Sequence, residues 1–223
     1  MKKICIIGNS HIGCIKKGID FHKDIHPSDL TIDMFGSRGD TLKCLQFSEG
    51  KLFPDIKEVR DMMSITSGGK KEIDLAIYNA FVLIGLRFHI PRIDNRLSEK
   101  VHKSCLIDLF NNSLAKEVCD LIRLGSSSPI WILPSPLNIY EDGLDTTHIA
   151  PANKQIKKLT SIYKNEDISF SLQPEETIEK GCFTARSFDV GLKKGYFGEP
   201  HLGIDYGEKY SKHAIFGKVY NAL

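Results

Sequence analysis

The chain has 223 residues, 41% hydrophobic and 26% charged, with a formal net charge of +2. This is an ordinary globular composition, and the length fits one domain spanning residues 1–223. The near-neutral balance, the scattered lysine pairs and the lack of any basic run argue against a nucleic-acid partner. No stretch approaches the roughly 18 apolar residues that a membrane span needs.

Met1-Lys2-Lys3 leads into only a short apolar run, so no signal peptide is expected. Six cysteines stand at 5, 14, 44, 105, 119 and 182 without a CxxC pair or other metal spacing. They read as reduced, mostly buried thiols of a cytoplasmic protein.

The apolar, β-branched run Ile4–Ile7 predicts a buried first strand over about 3–8, stopped by Gly8-Asn9-Ser10-His11. A helix is expected over about 11–19. Leu30–Phe35 alternates as a second strand, followed by the loop Gly36–Thr41. Residues 42–68 are polar and irregular, with Pro54, and read as a hairpin or a short helix. Asp74–Leu83 reads as a third strand. Ser98–Leu124 has apolar residues at helical spacing and is ended by Gly125 and three serines. Pro129–Leu133 is a fourth strand closed by Pro134-Ser135-Pro136. Ala150–Tyr163 predicts another helix, Ser169–Leu172 a short fifth strand and Tyr206–Leu223 a final helix. Alternating strands and helices imply a three-layer α/β/α sandwich of about five parallel strands.

Ser10 follows the first strand, and in open α/β sheets ligands bind at the carboxyl edge. A helix N-terminus there offers free N–H groups to a developing oxyanion. A serine is a weak nucleophile and needs a base. The loops after the predicted strands gather further candidates: Gly36–Thr41, Tyr78-Asn79-Ala80 and Gly198–Gly207.

These motifs resemble the SGNH (GDSL-like) hydrolases, serine esterases and acyl-transfer enzymes on a flavodoxin-like sheet. Gly8-Asn9-Ser10-His11 is similar to the family's first block, which implies Ser10 as the nucleophile. Ser37-Arg38-Gly39-Asp40-Thr41 is similar to the second, which implies a Gly39 backbone N–H as an oxyanion donor beside that of Ser10. Gln173-Pro174 with Gly181–Thr184, and His201-Leu-Gly-Ile-Asp-Tyr206-Gly207, resemble members from bacterial polysaccharide gene clusters. The latter implies His201 as the base. The third block's Gly-x-Asn has its nearest counterpart in Asn79, without the preceding glycine. The acid expected at 198 is Gly198, leaving Glu199 to orient His201, and Gly203 stands where the ending has Asn.

The resemblance thus implies an acyl-ester hydrolase or O-acyltransferase acting on a small-molecule or glycan ester, with an O-acetyl group on a carbohydrate favoured. It implies no cofactor beyond acetyl-CoA as the donor of a transferase. The missing acid and Asn motivate an alternative, a non-catalytic glycan-binding or polysaccharide-assembly protein of the same fold. His11 either faces the pocket or serves as a first-turn helix residue. Arg38 either binds a substrate anion or makes an exposed salt bridge. His89, His102, His148 and His213 share no metal-like spacing, so no metal is expected. A nucleotide-binding reading is disfavoured, because Gly8–Gly13 lacks both Gly-x-Gly-x-x-Gly and a Gly-Lys-Ser/Thr ending.

Overall fold

A computed structural model describes residues 1–21, 26–139, 143–188 and 202–223. Strand β1 (Lys2–Gly8) leads through a tight turn into helix α1 (Ile12–Phe21) and then strand β2 (Leu30–Gly36). A 3-10 turn, Thr41–Cys44, opens the irregular stretch. It continues as a hairpin of β3 (Leu45–Ser48) and β4 (Lys51–Pro54), then helix α2 (Lys57–Ser67). Both expected alternatives, hairpin and helix, are therefore present. Next come β5 (Ile73–Asp74), β6 (Ala80–Ile84), α3 (Glu99–Asn111), α4 (Leu114–Arg123) and β7 (Ile130–Leu133). The chain ends with α5 (Ala152–Tyr163), β8 (Ile168–Phe170), the short pair β9 (Ile178–Glu179) and β10 (Phe183–Thr184), α6 (Ile204–Tyr210) and a π-helical stretch, Ser211–Tyr220.

The central sheet has the order β2-β1-β6-β7-β8. Each neighbouring pair is parallel, as expected of the alternating pattern. Side chains alternate across it. Ile4 and Ile6 of β1 join Ile12, Ile15, Tyr206, Tyr210 and Val219 on one face, the layer of α1, α6 and the chain end. Cys5 and Ile7 join Met63, Leu106, Val118 and Leu159 on the other, the layer of α2 to α5. Both faces are covered, which is why these strands read as near-continuous apolar runs.

Two expected elements divide. The 98–124 helix breaks at Asn112-Ser113, because the Ser113 side chain accepts from the Lys116 N–H at 3.2 Å and caps a new helix. The Asp74–Leu83 strand also splits. Ile73–Asp74 pairs antiparallel with β4 in a small separate sheet. The Asp74 carboxylate then accepts from the Ala76 N–H at 3.1 Å and caps a 3-10 turn, so β6 starts only at Ala80. The thiols depart from expectation at Cys105, which is exposed; all six cysteines are free.

Candidate active site at the carboxyl edge of the sheet

Ser10 sits where the sequence places it, just past the carboxyl end of β1, the strand between β2 and β6. The Asn9 side chain caps the turn by accepting the His11 N–H at 3.1 Å. The Ser10 carbonyl accepts the Gly13 N–H at 3.0 Å, which opens α1. With Asn9 as the cap, the exposed Ser10 hydroxyl makes no hydrogen bond among the described residues. It stands by the positive end of a helix dipole, where a developing anion is stabilised.

The loop after β2 lies alongside. Its Ser37 N–H donates to the Gly8 carbonyl at 3.2 Å. Thr41 closes the loop, its N–H and hydroxyl both donating to the Arg38 carbonyl at 3.1 and 2.7 Å. Gly39 sits within this turn at φ +53°, a left-handed conformation that glycine adopts without strain. Ser10 and Gly39 are thus brought to one edge on adjacent strands. Arg38 is exposed on the same loop and forms no ion pair among the described residues. His11 is half-buried in the turn before α1, its carbonyl accepting the Cys14 thiol at 3.1 Å. Burial pushes that thiol up to about 11, so it stays protonated at neutral pH.

Asn79 is not part of this edge. Its backbone N–H donates to the Lys3 carbonyl at 2.8 Å, and its side chain accepts the Lys3 N–H at 2.7 Å. Lys3 is the second residue of β1, and Asn79 precedes β6, so both mark the amino edge. The five residues of β6 separate Asn79 from the Ser10 side by about 17 Å. The expected oxyanion role of Asn79 is therefore corrected. The sequence reading began the strand too early, at Asp74.

The carboxyl end of β6 instead carries Gly85-Leu86-Arg87. The Phe88 N–H returns to the Gly85 carbonyl at 2.9 Å, with Leu86 at φ +50° and Arg87 at φ +55°. That is a type I′ turn built on residues that disfavour it. Gly85 also has positive φ, and a Cβ there would sit 2.6 Å from the Asn9 Oδ1. Asn9 therefore locks the Ser10 turn against the Arg87 turn. The signal for this segment was in the sequence, in the apolar run Ala80–Ile84 that ends at Gly85. Beyond it, the buried Ser135 N–H donates to the Phe88 carbonyl at 2.8 Å, tying the Pro134-Ser135-Pro136 segment after β7 to the same turn.

His201 and Glu199, with Gly198, lie outside the described residues. The flanking residues are placed: Phe188 and Leu202 both pack on the cluster that contains Ile12 and Ile15 of α1. Tyr206 is fully buried in that cluster, and Gly207 lies against α1. No group of three potential metal ligands exists among the described residues. No helix among them is long and apolar enough to cross a membrane.

No protein-family model matches the sequence, and no curated protein matches it. Solved structures do. The periplasmic domain of a lipopolysaccharide acetyltransferase from Salmonella ser. Paratyphi A superposes with a TM-score of 0.50 at 13% identity, covering 99% of this chain and 84% of that one. A putative acylhydrolase from Bacteroides fragilis gives 0.48 at 10% identity, covering 99% and 88%. A putative arylesterase from Agrobacterium tumefaciens gives 0.48 at 10%, covering both chains fully. The chain shares its overall fold with the Salmonella domain.

Proposed function

We propose that the chain is a serine-dependent acyl-transfer enzyme that hydrolyses or transfers an acyl ester, with an O-acetyl group on a carbohydrate as the favoured substrate. The observation that carries this is the placement of Ser10. Its exposed hydroxyl stands at the carboxyl end of a central strand, beside a helix N-terminus and the Gly39 turn.

In the proposed reaction the Ser10 hydroxyl attacks the acyl carbonyl carbon, and its proton passes to His201. The tetrahedral oxyanion faces the N–H groups of Ser10 and Gly39. Collapse expels the alcohol, which takes the proton back from the imidazolium and leaves the acyl group on Ser10. Water or a sugar hydroxyl then attacks the acyl-enzyme, with His201 again taking the proton. Glu199 orients the imidazole and stabilises its cation. Phe188 and Leu202, the described residues on either side of 189–201, both pack on the hydrophobic cluster that includes Ile12 and Ile15 of α1, the helix that begins beside Ser10, and this supports the pairing. The carbohydrate assignment draws on the 173–207 motifs and on the likeness to the Salmonella lipopolysaccharide acetyltransferase domain.

A fluorophosphonate probe tests the nucleophile. It is expected to label wild-type protein at Ser10 and to leave Ser10→Ala unlabelled. Turnover of p-nitrophenyl acetate, with and without acetyl-CoA and sugar acceptors, separates hydrolysis from transfer. Ser10→Ala and His201→Ala are each expected to lower kcat at least about a thousandfold at unchanged melting temperature. Folded wild-type protein that neither labels nor turns over any ester would overturn the proposal.

A further inference from the structure

The strand order makes one ion pair unusual. Arg87 follows β6 and Asp40 follows β2, and these strands flank β1 on opposite sides. The Arg87 Nη2 nevertheless meets the Asp40 Oδ2 at 2.8 Å. A bond from one loop to the other must pass across the carboxyl end of β1, where Ser10 emerges. The guanidinium is therefore held at the rim of the candidate active site, two residues from the Gly85 contact with Asn9.

Three features give this arrangement a purpose beyond a surface staple. First, the turn that presents Arg87 has three consecutive residues at positive φ, two of them not glycine, and such strain collects at functional sites. Second, Asp40 has a second cation in reach: the Lys43 Nζ lies 3.6 Å from the same Oδ2. If Arg87 lets go, Asp40 keeps a partner. Third, Arg38 adds another exposed cation on the same loop as Asp40, so that among the described residues of these two loops Arg38, Lys43 and Arg87 outnumber Asp40. Asp40 already shows which group the guanidinium takes, a carboxylate, and a planar fork suits that group. An exposed ion pair of this kind is weak and readily exchanged.

Resting on the acyl-transfer reading above, we propose that Arg87 selects the substrate. It binds a carboxylate carried on the same molecule as the ester, exchanging it for Asp40, which shifts onto Lys43. The substrate class is then an acylated sugar acid or another carboxylate-bearing ester, rather than a neutral one. Arg87 is a specificity-determining residue, set beside the Ser10 chemistry.

The test uses binding to the Ser10→Ala variant of the 223-residue chain, which is expected to be free of turnover. Calorimetry compares 4-acetoxybenzoate with its neutral methyl ester. The acid is expected to bind at least tenfold tighter, and Arg87→Ala is expected to erase the preference while Arg87→Lys keeps part of it. Asp40→Asn, which removes the competing carboxylate, is expected to tighten the acid about threefold or more without tightening the methyl ester. Equal binding of acid and ester, or a preference that survives Arg87→Ala, overturns the proposal. Should Arg87→Ala fail to fold by circular dichroism, Asp40→Asn decides: unchanged or weaker acid binding overturns it. Wild-type turnover of p-nitrophenyl acetate separately tests the acyl-transfer reading. A protein that fails there yet prefers the acid loses its proposed reaction and keeps its carboxylate site.

Discussion

At single positions, backbone conformation separates strain that serves the site from strain that serves nothing visible. Glu49 and Gly50 are the central residues of the two-residue β3–β4 hairpin, at φ +50° and +78°. A type I′ turn wants Asn-Gly here, because Asn tolerates the left-handed region and Glu does not. Glu49 lies far from the Ser10 edge in sequence and belongs to the small separate sheet. Glu49→Asn is therefore expected to stabilise the fold by about 0.5–1 kcal/mol, read from urea unfolding, without changing esterase turnover. The thiols offer a second residue-scale check. Burial raises Cys5, Cys14 and Cys119 above the ordinary thiol value, whereas Cys105 is exposed. Cys105 is expected to react first with a maleimide in native protein, and Cys5 and Cys119 only after unfolding, as peptide mapping would show.

Between elements, α1 and α6 approach each other closely. A Cβ on Gly207 would lie 1.9 Å from the Cys14 carbonyl oxygen, and one on Gly18 would lie 2.4 Å from the Gly207 backbone. The two helices touch backbone to backbone, so the Tyr206-Gly207 ending of the sequence motif has a packing explanation. Tyr206 fills the core, and Gly207 lets α6 reach the helix that starts beside Ser10. Gly207→Ala must push the helices apart, and a loss of about 1–3 kcal/mol or more is expected, seen as a lowered melting temperature. Because α6 directly follows the segment bearing His201, turnover should fall more steeply than stability alone accounts for. The central strands were legible in the sequence because each is an apolar run bounded by Gly, Pro or Asp. The break at Ser113 was not, since a capping serine within a helical pattern leaves the apolar spacing intact. Asp74 misled for a similar reason: its cap on a 3-10 turn lies inside a stretch that alternates like a strand.

For the whole molecule, the candidate site divides into what local pattern reveals and what only topology reveals. Ser10 and Gly39 follow strands whose ends are marked in the sequence, so both were readable. Arg87 was so only in part: the apolar run that ends at Gly85 marks where β6 stops, but the ion pair with Asp40 across β1 follows from the strand order, which no local pattern reveals. The same non-local logic governs Asp33, a carboxylate in β2 at the boundary between the sheet and α2. It takes a hydrogen bond from the Tyr78 hydroxyl at 2.8 Å, is paired with Lys70, and has the Lys3 ammonium 3.5 Å away. Three segments distant in sequence meet on this one acid. Burial works to raise its pKa, but the hydrogen bonds from Lys70 and Tyr78 and the charges of Lys70 and Lys3 outweigh it, leaving Asp33 below the ordinary carboxylate value. A group depressed in the folded state contributes stability that is fully present above its unfolded pKa, near 3.9, and is lost as pH falls through the folded value. Asp33→Asn is therefore expected to be clearly less stable than wild type at pH 7, with the gap narrowing below about pH 4 as wild type itself becomes protonated. Urea unfolding of both proteins across pH 2.5–7 measures it, and two curves that stay parallel through the acid limb would mean that Asp33 is not the acid that holds these segments together.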